Sequence, residues 1–175
     1  MKQALMQAAK LALELEKKGY ALYVKTAQET DNSLVKSIFE GLAKRELEHM
    51  KRINVLYAAA SKEKIDFEKI QAVSIAVGEK QILSLILERH KERLQEKPQA
   101  KISAAYQIAM QLEKDSYNYY KKLAGQFSEK VIQIFFDLLA REENAHYAIL
   151  QEALVYLDKP KQWFWAKEDW IIENE

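Results

Sequence analysis

The chain has 175 residues, a net charge of +1 from 27 basic and 26 acidic residues, and no cysteine. These totals exclude disulfides, thiol catalysis, zinc fingers and iron–sulfur clusters, and the missing basic excess argues against nucleic-acid or membrane-surface partners. Only 4 Gly and 2 Pro occur, too few to supply the turns of a sandwich or barrel, so the composition predicts an all-α protein of few, long helices.

Residues 4–29 are apolar at Leu5, Ala8, Ala9, Ala12, Leu15, Gly19, Leu22 and Ala27, a spacing that predicts one long amphipathic helix. The charged stretch Glu14 to Lys18 follows the start too closely for a signal peptide, and no run of 18 apolar residues occurs; a cytoplasmic protein without a transmembrane helix is expected. Thr30, Asp31, Asn32 and Ser33 form a capping cluster and predict a turn. A second helix follows over about 34–60, with the stripe Leu34, Ile38, Leu42, Ile53, Leu56 and Tyr57.

Residues 61–69 read as a loop or short helix. Residues 73–94 form a third apolar stretch that ends before Pro98, because a proline disfavours helix at the residue before it. Another long helix is predicted over 100–127, with Gly125, Ser128 and Glu129 marking a turn. The last helix covers 130–157 and is stopped by Pro160, and the tail holds Trp163, Trp165 and Trp170.

The reading is a bundle over 1–158, with hairpins at about 4–60 and 100–158 and a crossover over 61–99. The Trp-rich tail, 159–175, is expected to pack on the bundle or a partner subunit. Two antiparallel hairpins with one long crossover give the ferritin-like four-helix topology.

The hairpins repeat at an offset of 97 residues. Comparing 9–57 with 106–154 gives 13 identities in 49 positions, against roughly three expected from ordinary residue frequencies. The first helices share Ala12/Ala109, Leu15/Leu112, Glu16/Glu113, Lys17/Lys114, Tyr20/Tyr117, Tyr23/Tyr120, Lys25/Lys122 and Ala27/Ala124. The second helices share Phe39/Phe136, Leu42/Leu139, Ala43/Ala140, Glu46/Glu143 and His49/His146. Fixed-period similarity signals a duplicated unit. Packing explains the repeated Leu, Ala and Phe, but it has no need for a Glu and a Glu-x-x-His in each half.

Glu16 and Glu113 lie on or near the apolar stripes, and Glu46/His49 and Glu143/His146 sit at i, i+3 on one helix face. A buried unpaired carboxylate is very costly, so four of them converging with two imidazoles need cations. Oxygen ligands with one imidazole per ion suit iron or manganese, and two divalent ions balance four Glu charges. The set matches the di-iron carboxylate arrangement, with Glu46 and Glu143 bridging and Glu16 and Glu113 terminal. Tyr23 and Tyr120, and less directly Tyr20 and Tyr117, are candidates to hydrogen-bond the ligand carboxylates.

These motifs resemble the rubrerythrin-type, ferritin-like di-iron proteins. The pattern of Glu16, Gly19-Tyr20 and Tyr23, followed by Phe39-x-x-Leu42-Ala43-x-x-Glu46-x-x-His49, recurs in its second part as Phe136 to His146. The resemblance implies two iron ions, with manganese or zinc as alternatives, and reduction of peroxide or oxygen in oxidative-stress protection. It also implies an external electron donor such as a rubredoxin-like protein, and a homodimer.

Two features depart from the family pattern. No Cys is present for a rubredoxin-like iron, and Ser116 stands where many members carry a further Glu. Ferritin-like iron oxidation, storage or delivery, and a non-catalytic bundle with a structural di-metal site, are the other functional readings. Glu48 and Glu142 adjoin the ligand motifs off the ligand face and are expected to be solvated. His90, in a charged neighbourhood without a duplicate, is expected to be exposed.

Overall fold

The computed structural model describes residues 1–62, 64–74 and 100–158. Its helices are α1 (Lys2–Glu29), α2 (Ser33–Ser61), α3 (Phe67–Ala72), α4 (Ala100–Gln126) and α5 (Lys130–Asp158). The four long ones follow the sequence periodicity to within a few residues at each end. At 28 residues, α1 is ~42 Å long.

Local chemistry sets the boundaries. Asn32 caps α2, its side chain accepting from the backbone N–H groups of Leu34 and Val35, both at 3.0 Å. Thr30 Oγ1 in turn accepts from Asn32 N at 3.2 Å, which closes the turn predicted there. Asp66 caps α3 by accepting from Lys69 N at 3.1 Å. Gly125 falls inside the last turn of α4 rather than beyond it; the following turn is formed without it, by residues 127–129. The apolar stretch beyond residue 74, Pro98, Pro160 and the tail tryptophans lie outside the described residues.

Two apolar clusters fill the interior. One joins Leu5, Ala8 and Ala12 of α1 to Ile53 and Leu56 of α2, Leu123 of α4, and Ile132, Phe135 and Phe136 of α5. The other joins Tyr23 and Ala27 to Leu34, Ile38 and Phe39, to Tyr106 and Ala109, and to Leu150 and Tyr156.

Cluster membership fixes the directions. The start of α1, the end of α2, the end of α4 and the start of α5 share one end of the bundle. Each hairpin is therefore antiparallel, α1 and α4 also run antiparallel, and α2 ends where α4 also ends. α2 therefore ends at the opposite end of the bundle from the one at which α4 begins. The structure is a ferritin-like helical bundle, with a polar layer between its two apolar ends.

Candidate metal centre

The polar layer holds Glu16 from α1, Glu46 and His49 from α2, Glu113 from α4, and Glu143 and His146 from α5. All six are between 0 and 3% exposed. Their positions midway along the helices put them between the two apolar clusters, where water cannot compensate their charge.

The structure brings the six together as two overlapping groups. Glu46, Glu113, Glu143 and His146 offer ligand atoms within 4.8 Å of one another, and so do Glu16, His49 and Glu143. His49 Nδ1 lies 3.0 Å from both Glu16 Oε2 and Glu143 Oε1. His146 Nδ1 lies 3.5 Å from Glu143 Oε2 and 3.6 Å from Glu46 Oε1 and Glu113 Oε1. The imidazoles stack with centroids 5.3 Å apart. Glu143 belongs to both groups. Glu46 also meets the Glu16 carboxyl, so it too faces both groups.

The rubrerythrin family profile matches residues 9–154, a span that contains all six residues. The chain belongs to the rubrerythrin family. No curated protein and no solved structure matches it.

Within this rubrerythrin domain the donor set fits a pair of metal ions. Four carboxylates supply hard oxygen donors and two imidazoles supply nitrogen, and Glu113 Oε2 is buried with no hydrogen-bond donor. The protein alone neutralises the charge with protons. Burial, then the charges of Glu16 and Glu143, push the Glu46 carboxyl well above its usual range. Burial and Glu143 push Glu113 up to about 8. Burial by itself would lower both histidines, but the surrounding carboxylates outweigh it and raise them well above the usual imidazole range. Glu143, despite its burial, is held well below the usual carboxylate range, chiefly by His49. Metal ions would replace these protons.

Two tyrosines lock the halves together. Tyr23 of α1 donates its hydroxyl hydrogen bond to Glu113 Oε1 of α4, and Tyr120 of α4 donates to Glu16 Oε1 of α1. Burial, then the adjacent carboxylates, keep both hydroxyls protonated. Tyr20 and Tyr117 pack against the apolar clusters instead.

Gly19 faces Glu46: a Cβ there would come within 3.2 Å of the Glu46 carboxyl carbon and 3.4 Å of Leu112. The repeat-related position, Ser116, is also buried.

Glu48 is solvated and pairs with Lys51, as expected. Glu142 is not solvated. It is 5% exposed, held by both guanidinium nitrogens of Arg52, and its Oε2 lies 3.2 Å from His49 Nε2. The expectation failed because it treated α5 as an isolated helix. The neighbouring α2 covers the flank of the ligand stripe and supplies Arg52 three residues after His49. The break in the repeat was the available signal: Glu142 stands opposite Arg45, and Arg52 opposite Ile149. His90 lies outside the described residues.

A cleft of about 260 Å³ between α4 and α5 reaches Glu113 and Glu143. Lys114, Tyr117, Asn118, Asn144 and Tyr147 form its walls. Among the described residues, no helix is long and apolar enough to cross a membrane.

Proposed function

We propose that the chain is a di-iron oxidoreductase that reduces hydrogen peroxide, with oxygen as the other candidate oxidant. Glu16, Glu46, His49, Glu113, Glu143 and His146 hold the metals. The carrying observation is that Glu143 belongs to two Glu/His groups at once, the geometry of two metals sharing a carboxylate. When bound, a pair of ferrous ions supplies the two electrons of the balanced reaction H2O2 + 2 e⁻ + 2 H⁺ → 2 H2O.

The protein's own residues prepare this site. Tyr23 and Tyr120 hold the terminal carboxylates from the opposite hairpin. The apolar clusters exclude water at both ends of the layer, which strengthens every charge interaction inside it. The α4–α5 cleft is wide enough for a peroxide molecule, and its amide and hydroxyl groups suit a small, neutral, hydrogen-bonding substrate. The 175 residues contain no cysteine, so no thiolate-bound iron relays electrons within them. An external donor such as a rubredoxin-like protein would then re-reduce the site. A homodimer in the cytoplasm completes the proposal.

Anaerobic mixing of ferrous protein with peroxide is the test. One peroxide consumed per two irons oxidised, with a regenerating reductant sustaining turnover, supports the reading. Bound iron that peroxide does not oxidise refutes it. Light scattering addresses iron storage: a 12- or 24-subunit shell would support storage, and a monomer or dimer would oppose it.

A further inference from the structure

We propose that the α4–α5 cleft holds an organic group, and that the substrates of the site include small organic hydroperoxides. This rests on the peroxide-reducing reading above and names a wider substrate class for it. The organic group lies in the cleft while the terminal –OOH reaches the carboxylate layer.

The first observation is size. The cleft measures about 260 Å³. A cavity of about 150 Å³ is enough to hold benzene, and a water molecule occupies only about 30 Å³ of its liquid. Hydrogen peroxide, scarcely larger than water, fills a small part of such a space. A hydroperoxide with a tert-butyl or cumyl group fills most of it. Pockets for larger ligands begin at about 300 Å³, so the cleft suits compact organic groups and not long chains.

The second observation is the layering of the lining. Glu113 and Glu143, each 1% exposed, close the bottom of the cleft. Tyr117 and Tyr147 are partly buried, whereas Lys114, Asn118 and Asn144 are exposed and form the rim. Tyr117 also packs against an apolar cluster, which steadies its ring. Polar floor, aromatic walls and hydrated rim match a molecule with one polar reacting end and a compact apolar body. Such a body gains free energy in proportion to the area it removes from water. Hydrogen peroxide has no apolar surface to bury. Binding of a part that does not react can also be used to position the part that does. Only the –OOH end has to enter the closed layer, because the organic group stays in the open part of the cleft.

The reaction balances as ROOH + 2 e⁻ + 2 H⁺ → ROH + H2O. The O–O bond breaks, two O–H bonds form, and the organic group leaves unchanged as its alcohol. The electrons are those of the peroxide reaction above, and the same external donor restores them.

Cumene hydroperoxide is the probe. The iron-loaded chain should consume one molecule per two irons oxidised and release cumyl alcohol. Acetophenone as the product would mean one-electron cleavage of the O–O bond and would overturn the inference. Asn118→Trp and Asn144→Trp narrow the cleft from exposed rim positions, where a larger side chain does not disturb the core. Each should lower kcat/KM for cumene hydroperoxide, relative to that for hydrogen peroxide, by about tenfold. An unchanged ratio in both variants would overturn the inference.

A second readout needs no turnover. The zinc-loaded chain should bind cumyl alcohol and shift the side-chain amide NMR signals of Asn118 and Asn144, and signals that stay in place would count against the cleft as the binding site. A chain that reduces hydrogen peroxide but not cumene hydroperoxide would overturn the inference and leave the peroxide reading standing. A chain that reduces neither would remove both.

Discussion

Tyr23 and Tyr120 show how single side chains tie the site to the fold, since each crosses from one hairpin to a carboxylate of the other. Phe at either position keeps the ring packing and removes the hydrogen bond. Each substitution is expected to lower metal affinity by about tenfold, read by competition with a chromophoric chelator, and an unchanged affinity would deny these tyrosines any role at the site.

The titrating residues make a second prediction. Glu113 is raised from an ordinary value of 4.5 to about 8, so its favourable contribution is full below pH 4.5 and is lost as pH rises to about 8. The raised histidines contribute fully below their usual value of 6.5 and lose that contribution as pH rises through their folded values. All three act in one direction. The Tm of the metal-free protein should fall between pH 5 and 8, and metal uptake should release protons, seen as a buffer-dependent binding enthalpy. A metal-free Tm that rises over this range would contradict the assignment.

Among the elements, α2 depends on its cap and α1 on its glycine. Asn32 accepts from two of the free N–H groups that start α2, and Asn32→Ala should cost about 1 kcal/mol in a denaturant melt. Gly19→Ala separates helix stability from metal binding. Alanine favours the helix interior by about 1 kcal/mol, but its Cβ would stand 3.3 Å from Glu46 Oε2 and push the carboxylate aside. The expected outcome is weaker metal binding without loss of metal-free stability. Equal losses in both would mean that Gly19 serves packing alone.

For the whole molecule, the site is the unfavourable middle of an otherwise apolar bundle. Four carboxylates in one buried layer repel one another, and ions that bind only the folded chain stabilise it by mass action. At metal concentrations 100-fold above Kd the gain is about 2.7 kcal/mol. Scanning calorimetry should therefore show a metal-dependent rise in Tm that Glu143→Ala abolishes, because Glu143 serves both groups. A variant that keeps the full rise would show that the ions bind elsewhere.

Much of this protein was legible in one dimension. Helical periodicity and the scarcity of Gly and Pro determined the four long helices. Duplication of Glu and Glu-x-x-His at a fixed offset singled out the six polar residues of the middle layer, because packing alone would not repeat charged groups at interior positions. Relations between helices that are distant in sequence were not legible.

The exchange of tyrosine hydrogen bonds between hairpins depends on α1 and α4 running antiparallel at one register. The burial of Glu142 depends on Arg52, 90 residues away in sequence, arriving from α2. The cleft beside Glu113 and Glu143 is lined by residues of both α4 and α5 and so depends on how these two helices meet. A helix stripe specifies which residues point inward, but a residue on its flank is buried or solvated according to the neighbouring helix. The sequence therefore determined the composition of the site, and only the tertiary structure decided which side chains of the opposite hairpin hold its carboxylates.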